Sequence, residues 1–325
     1  MSYKQELQRD LDIKVQKKLE FYPQFVKEYF DRIESSKTKN VNFGYIKHLF
    51  DWLIDNKIIT DVSKEQLNKV TTANIINYLN GLNKGIGCNI NSSSTVNTKK
   101  KVINAFWNFL ELYEHVNYNV LRKIPKGKYK VEVSNTGIDI KIPTKEELDT
   151  FIGNIISDMN EDFGLRNLAI VRLFLGSGIR SEELIGLDLD DLFLDNHPQH
   201  IMIMGKGYYE VKSRVIINNE AKENLIKYLE VRNKLENIID KNALFISNQK
   251  TRLSKSAIDN MFNRYSNNTI TPHMLRHWYG TELYNKTNKD ILAVQKQLRH
   301  KNIETAVKYY VKIDESKFID TVINM

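Results

Sequence analysis

The chain has 325 residues, with 48 Lys and Arg against 40 Asp and Glu and hence a formal charge of +8. An apolar fraction of 41% and a charged fraction of 27% are those of a folded soluble protein rather than a disordered one, and the length suits about two domains. A membrane span is disfavoured, since the longest apolar run, Leu168 to Gly176, is broken by Arg172 and falls far short of roughly 20 residues; a single cysteine, Cys88, excludes a disulfide scaffold or Cys-rich zinc site.

The N-terminus, Met1-Ser2-Tyr3-Lys4-Gln5-Glu6, lacks the apolar segment of a secretory signal. With one cysteine, a reducing, cytoplasmic setting is expected. Leu7, Leu11 and Val15 then follow a helical period up to Pro23. Gln24 to Glu34 places Phe25, Tyr29, Phe30 and Ile33 on one face, and Phe43 to Asp55 does the same with Tyr45, Ile46, Leu49, Phe50, Trp52 and Leu53. Thr72 to Leu82 and Thr95 to Leu112 repeat the pattern, with Thr71 or Thr72 and Ser94 as N-caps. The Asn/Ser/Gly-rich stretch from Asn83 to Ser94 reads as a loop. The first block, residues 1–128, is therefore a helical bundle.

The composition changes at Lys126-Gly127-Lys128-Tyr129-Lys130, where helical periodicity stops, and residues 129–143 read as a linker ending at Pro143. Thr144-Lys145-Glu146-Glu147 has the form of a capping box and opens the second domain, residues 144–325. Arg166 to Gly176 is an apolar helix, followed by the turn Gly176-Ser177-Gly178 and a helix from Arg180 to Gly186. His200 to Met204 and Val211 to Asn218 alternate as strands of a hairpin. Helices are expected over Ala221–Leu235, Ser254–Tyr265, Pro272–Tyr284, Asp290–Arg299 and Ile303–Tyr309, with a tail helix over 313–325. The fold class is mainly α (α+β): an N-terminal helical bundle and a mixed, mostly helical domain with a small antiparallel sheet.

Charge is unevenly spread. Residues 1–130 hold 22 Lys and Arg against 13 Asp and Glu, an excess of +9, whereas residues 131–325 hold 26 against 27. A basic block points to a polyanion, and nucleic acid is the commonest; a merely solvated helical face is the bland alternative. Lys99, Lys100 and Lys101 sit near a helix N-terminus, the unfavourable end for cations, which a phosphate contact or simple exposure explains. With Lys126, Lys128 and Lys130 they form the candidate DNA-binding set.

Three local patterns carry chemistry: Gly178-Ile179-Arg180-Ser181-Glu182-Glu183-Leu184; His273-Met274-Leu275-Arg276-His277; and Leu298-Arg299-His300 with Tyr309 nine residues on. Singly each has a bland reading. His273 and His277 have the spacing of a metalloprotease helix, but Met274 stands where its Glu would be and no third ligand lies within reach along the chain, so no metal is expected. Trp52, Trp107 and Trp278 are expected in cores, His48, His115, His197 and His200 at the surface, and Cys88 as an inert loop thiol.

In this order and spacing the patterns resemble the tyrosine recombinases, the phage integrase family, across nearly the whole chain. The resemblance implies that Arg180 and Arg276 clamp a scissile phosphate, that Glu183 supports them, that His273 and His300 donate hydrogen bonds or move protons, and that Tyr309 is the nucleophile, with Tyr310 adjoining it. Lys206, in a hairpin between two strands, is implied as the acid for the departing 5′ oxygen, with Lys212 as its rival because Arg214 stands further on than is usual. Arg299 replaces the family's usual Gly, where it is expected to add a phosphate contact, and His277 is expected to orient the arginines. The resemblance further implies a C-shaped clamp on duplex DNA, a 3′-phosphotyrosyl intermediate, exchange through a Holliday junction and no cofactor. It also implies a free monomer that forms a homotetramer in the synapse with exchanged tails. The alternatives are an inactive DNA-binding protein of the same fold or a type IB-like topoisomerase.

Overall fold

In the computed structural model the chain divides into two compact units, residues 1–133 and 134–325. The structure describes residues 3–85, 90–124, 141–158, 163–204 and 211–310. Cys88, Lys126, Lys128, Lys130, Lys206, most of the expected linker and the expected tail helix lie outside them.

Local sequence rules account for the helices of the first unit: α1 (Tyr3–Leu19), α2 (Gln24–Asp31), α3 (Ser36–Asp55), α4 (Lys64–Leu67), α5 (Thr72–Lys84) and α6 (Ser93–Leu112). Each side-chain cap removes an orphan backbone N–H: Ser35 accepts from Thr38 N–H, Ser63 from Gln66 N–H, and Ser92 from Thr95 N–H. Thr71 and Asn74 form a reciprocal capping box. Ser35 starts α3 well before Phe43, and Ser92, rather than Ser94, starts α6. The apolar faces meet in one core, with Phe30, Phe50, Phe106, Trp107, Ile46 and Leu79 buried. Tyr29 meets Phe106 edge to face at 5.0 Å, a favoured geometry for the ring quadrupoles. Trp107 is thus core, as expected, while Trp52 is partly buried against it.

The second unit is built around α8 (Gly164–Ser177), nearly every residue of which is buried. Helix α7 (Lys145–Ser157) begins at the expected Thr144–Glu147 capping box. After α9 (Ser181–Ile185), a single turn of 3-10 helix (Leu189–Asp191) leads into β1 (Leu192–Phe193), β2 (His200–Met204) and β3 (Lys212–Ile216). The sheet is antiparallel in the order β1-β2-β3, with Leu192 opposite Ile201 and Met204 opposite Lys212. Strand β1 is an addition to the expected hairpin; two residues are too few for a period to show. Strand β3 stops at Ile216 because Asn218 instead caps α10 (Asn219–Arg232), accepting from Ala221 N–H. His200, expected at the surface, is 8% exposed: it lies on the central strand, and the Phe193 ring stacks on it at 4.9 Å. His48 and His115 are half-buried, the former 2.8 Å from the Tyr78 hydroxyl.

Helices α11 (Lys255–Ser266), α12 (Pro272–Lys286), α13 (Ile291–Leu298) and α14 (Ile303–Tyr310) complete the unit. Arg252 ties its loops together, donating to the carbonyls of Ile185 and Leu187 and pairing with Asp240 at 2.8 Å. Among the described residues no helix is long and apolar enough to cross a membrane.

Candidate active site

Helix α8 ends because Gly178 takes the left-handed conformation, φ +63°, which glycine adopts without steric cost. A Cβ there would lie 2.5 Å from Leu298 Cδ2 and 2.6 Å from Tyr279 Cδ1. The close approach brings α12 and the end of α13 onto the Gly178 turn. Arg276, 3% exposed, seals it by donating Nη1 to the Gly178 carbonyl and Nη2 to the Leu298 carbonyl. Burial, then the charges of Arg180 and Arg299, pull this guanidinium down to about 9, so it remains a cation at neutral pH.

Arg180 is the N-cap of α9. It donates from its backbone N–H to Glu183 Oε2 at 2.9 Å and from Nη1 to Glu183 Oε1 at 2.7 Å. Arg299 reaches the same carboxylate, Nη2 to Oε2 at 2.7 Å. Burial opposes the charge on Glu183, 4% exposed, but Arg299, Arg180 and the backbone bond outweigh it and hold its pKa below the usual value. Two guanidinium groups, Arg180 and Arg299, therefore bind one buried carboxylate, with the charge of Arg276 close enough to act on it. Arg299, where a phosphate contact was expected, donates to Glu183 and to the Gln297 carbonyl from a left-handed backbone, φ +54°, and its buried Nε has no partner among the described residues.

The imidazoles come from two places. On α12, His273, Arg276, His277 and Gly280 share a helical face. His273 is exposed and His277 is buried, their Nε2 atoms 2.9 Å apart. The expectation that His277 orients an arginine is also corrected: its partners are His273 and, through Nδ1 at 3.3 Å, the Tyr310 hydroxyl. His300 follows the end of α13 and stacks on Tyr310, centroids 6.2 Å apart and planes within 6°. Its buried Nδ1 has no hydrogen-bond partner among the described residues.

Burial holds both His277 and His300 down to about 4, helped by His273 and Arg276 for the first and by Arg276 and Arg180 for the second. Both rings are neutral in the folded protein at pH 6.5, whereas an unfolded chain begins to protonate them there. Stability is expected to fall as pH drops from about 6.5 toward 4, by about 3 kcal/mol from His277 alone. Thermal melts between pH 7.5 and 4.5 check this, and His277→Phe should flatten the curve.

Both adjacent tyrosines of α14 face this cluster. Tyr310 is 6% exposed, and burial pushes its phenol up to about 12 against the pull of Arg276. Tyr309 is half-buried, its ring edge-on to His277 at 4.9 Å. A Cβ on Gly280 would lie 2.4 Å from Tyr310 Cζ. Gly280→Ala is therefore expected to unseat Tyr310 and cost roughly 1–3 kcal/mol, measurable as a lowered Tm.

The structure thus gathers Arg180, Glu183, His273, Arg276, His300 and Tyr309 in one region, from residues up to 129 apart in the chain. Lys206 lies outside the described residues. Its rival Lys212 is bonded to Asp191, which is 3% exposed. In the first unit, Lys99 is 8% exposed, on the α6 face shared with buried Val96 and Ile103, and its Nζ lies 5.6 Å from the Tyr45 ring centroid. That takes it off the surface where a phosphate contact was expected; Lys100 is half-buried and Lys101 exposed. The residues missed by sequence reasoning are Gly280, whose neighbour is 30 positions away, and Tyr310, for which the doubled tyrosine was the available signal.

A cluster of guanidinium groups, neutral imidazoles and phenols is suited to phosphoryl transfer onto a side-chain hydroxyl. The model of the phage integrase family matches residues 143–317, and the chain belongs to that family, the tyrosine recombinases. It is 27% identical to the tyrosine recombinase XerC of Caldanaerobacter subterraneus subsp. tengcongensis, over 93% of this chain and 86% of the relative. With the tyrosine recombinase XerS of Lactococcus lactis subsp. cremoris (strain MG1363) it shares 26%, over 91% and 93%. Its fold is similar to that of the Tn1549 transposon integrase in complex with circular intermediate DNA, with a TM-score of 0.68 at 18% identity, covering 91% of this chain and 97% of the other.

Proposed function

We propose that this chain is a site-specific DNA recombinase that cuts and rejoins strands through a 3′-phosphotyrosyl intermediate. The observation that carries the reading is the pairing of Arg180 and Arg299 with the buried Glu183 carboxylate, with the charge of Arg276 nearby. With His273, His277 and His300 neutral, the cluster holds an excess of positive charge suited to a phosphodiester. That excess stabilises the extra negative charge that develops as a nucleophile attacks.

Tyr309 gives its proton to solvent water, the positive charge of the cluster favouring the phenolate, and its Oη attacks phosphorus; the Oη–P bond forms as the P–O5′ bond breaks. Arg180 and Arg276 stabilise the non-bridging oxygens, using the guanidinium hydrogens left over from Glu183 and the Gly178 and Leu298 carbonyls. His273 and His300 donate further hydrogen bonds. Lys206 delivers a proton to the leaving O5′, and the attachment of Lys212 to Asp191 favours Lys206 in that role. Attack by the 5′ hydroxyl of a partner strand reverses the chemistry without ATP, and two rounds pass through a Holliday junction. The nine-residue spacing from His300 selects Tyr309 over Tyr310, and the raised pKa of Tyr310 supports the choice.

The first unit serves as the core-binding domain, with Lys100, Lys101, Lys126, Lys128 and Lys130 on the DNA backbone. The active assembly is a homotetramer built from free monomers, and the setting is cytoplasmic. A plasmid bearing two target sites tests the activity: recombinant products are expected, whereas relaxation alone or no product would overturn the reading. Duplex affinity of the full chain should fall steeply with salt, by roughly −0.9 in log K against log salt for each phosphate contact. A flat response in gel-shift titrations would remove the basic block from the interface.

A further inference from the structure

Tyr310 is drawn into the site without a role in the chemistry proposed above. It is buried, its hydroxyl 3.3 Å from His277 Nδ1. His277 in turn sets Nε2 at 2.9 Å from His273 Nε2. The three side chains form a continuous chain of hydrogen bonds from a buried phenol to an exposed imidazole. A neutral imidazole has one N–H and one acceptor nitrogen, so the position of one proton dictates all the others.

Which way the chain runs is set by acidity. A phenol is a far stronger hydrogen-bond donor than a neutral imidazole N–H, and an imidazole nitrogen is the better acceptor. Tyr310 therefore donates to His277 Nδ1. The proton of His277 must then sit on Nε2, where it is donated to His273 Nε2. That leaves the proton of His273 on Nδ1.

We infer that Tyr310, acting through His277, is a positioning residue that fixes the tautomer of His273 and leaves His273 Nδ1–H to donate to the reacting phosphate. The inference rests on the site proposed above and makes His273 a hydrogen-bond donor instead of a base. A partner that fixes a histidine's tautomer from behind is an established device in metal sites and catalytic triads; here a phenol and a second histidine supply it. The seat of Tyr310 is specific: Gly280 clears space for its ring, and the His300 ring stacks on it. Ionisable groups that face the relay are Arg276 on the same helix, Arg180 from the start of α9, His300 from the end of α13, and Tyr309 from α14. Burial, then the charges of Arg276 and Arg180, disfavours a protonated His273 and so keeps the relay in its neutral, directional form.

Long-range nitrogen–proton NMR spectra of full-length protein labelled with 15N-histidine read the tautomer directly. The His273 signals are identified by their loss in His273→Gln. In the unsubstituted protein His273 should carry its proton on Nδ1. In Tyr310→Phe, which keeps the ring over Gly280 and the stack on His300, the population should move toward the Nε2–H form. Cleavage of a nicked suicide substrate at saturating DNA should slow roughly 10-fold, with DNA affinity unchanged. His277→Phe removes the middle of the relay and must release the His273 tautomer in the same way. A His273 proton on Nε2 in the unsubstituted protein, or a tautomer unmoved by both substitutions, overturns the relay. A shifted tautomer with unsubstituted-rate cleavage overturns the positioning role. Failure of the underlying site looks different: His273→Gln would cleave at the full rate, whatever the tautomer spectra show.

Discussion

Replacing Tyr309 with Phe is expected to leave DNA binding intact and to abolish the covalent protein–DNA adduct. The change removes one hydroxyl and keeps the ring that packs edge-on to His277 at 4.9 Å, so α14 has no reason to shift. Without an attacking oxygen the remaining arginines and imidazoles can bind the phosphate but cannot form the phosphotyrosyl bond. Loss of a nucleophile in a site of this kind lowers the rate by at least about 10⁴-fold. A nicked suicide substrate traps the adduct, and denaturing gels score it. Tyr310→Phe should still form the adduct, more slowly, because its hydroxyl is engaged with His277. Should the Tyr309 variant accumulate adduct and the Tyr310 variant none, the neighbouring phenol is the nucleophile.

Arg180→Lys is expected to reduce cleavage by about 10²- to 10³-fold while changing duplex affinity little. Lysine keeps the charge and can still meet Glu183, but it cannot bond that carboxylate and a phosphate oxygen at once in the fixed geometry of a guanidinium. Its helix start depends on the backbone N–H, which donates to Glu183 at 2.9 Å and survives the substitution. Single-turnover cleavage and gel-shift affinity, measured on the same DNA, separate the effects. Equal losses in both would make Arg180 a general DNA anchor.

Much of this organisation was legible because it is local. The capping box at Thr144–Glu147 and the turn at Gly178 are fixed by residues within one helical turn of each other. The helical faces of the first unit follow from apolar spacing, and so does the burial of Trp107. Arg180 and Glu183 met as expected because they are three residues apart at the start of one helix.

The sequence by itself determined the helical units, the motif residues, and the chemical types gathered at the site, since periodicity, caps and spacing act over a few residues. Only the tertiary structure decided how those types are used. Glu183 meets Arg299 across 116 residues, and His277 meets Tyr310 across 33. Lys99 reads as a surface lysine until the face it shares with Val96 and Ile103 turns inward. Side chains with several donors or acceptors choose partners by what packing brings within about 3 Å, and a linear pattern carries no record of that distance. Arg299, Tyr310 and His277 owe their places to α12 and the end of α13 closing on the Gly178 turn and to α14 packing on both helices.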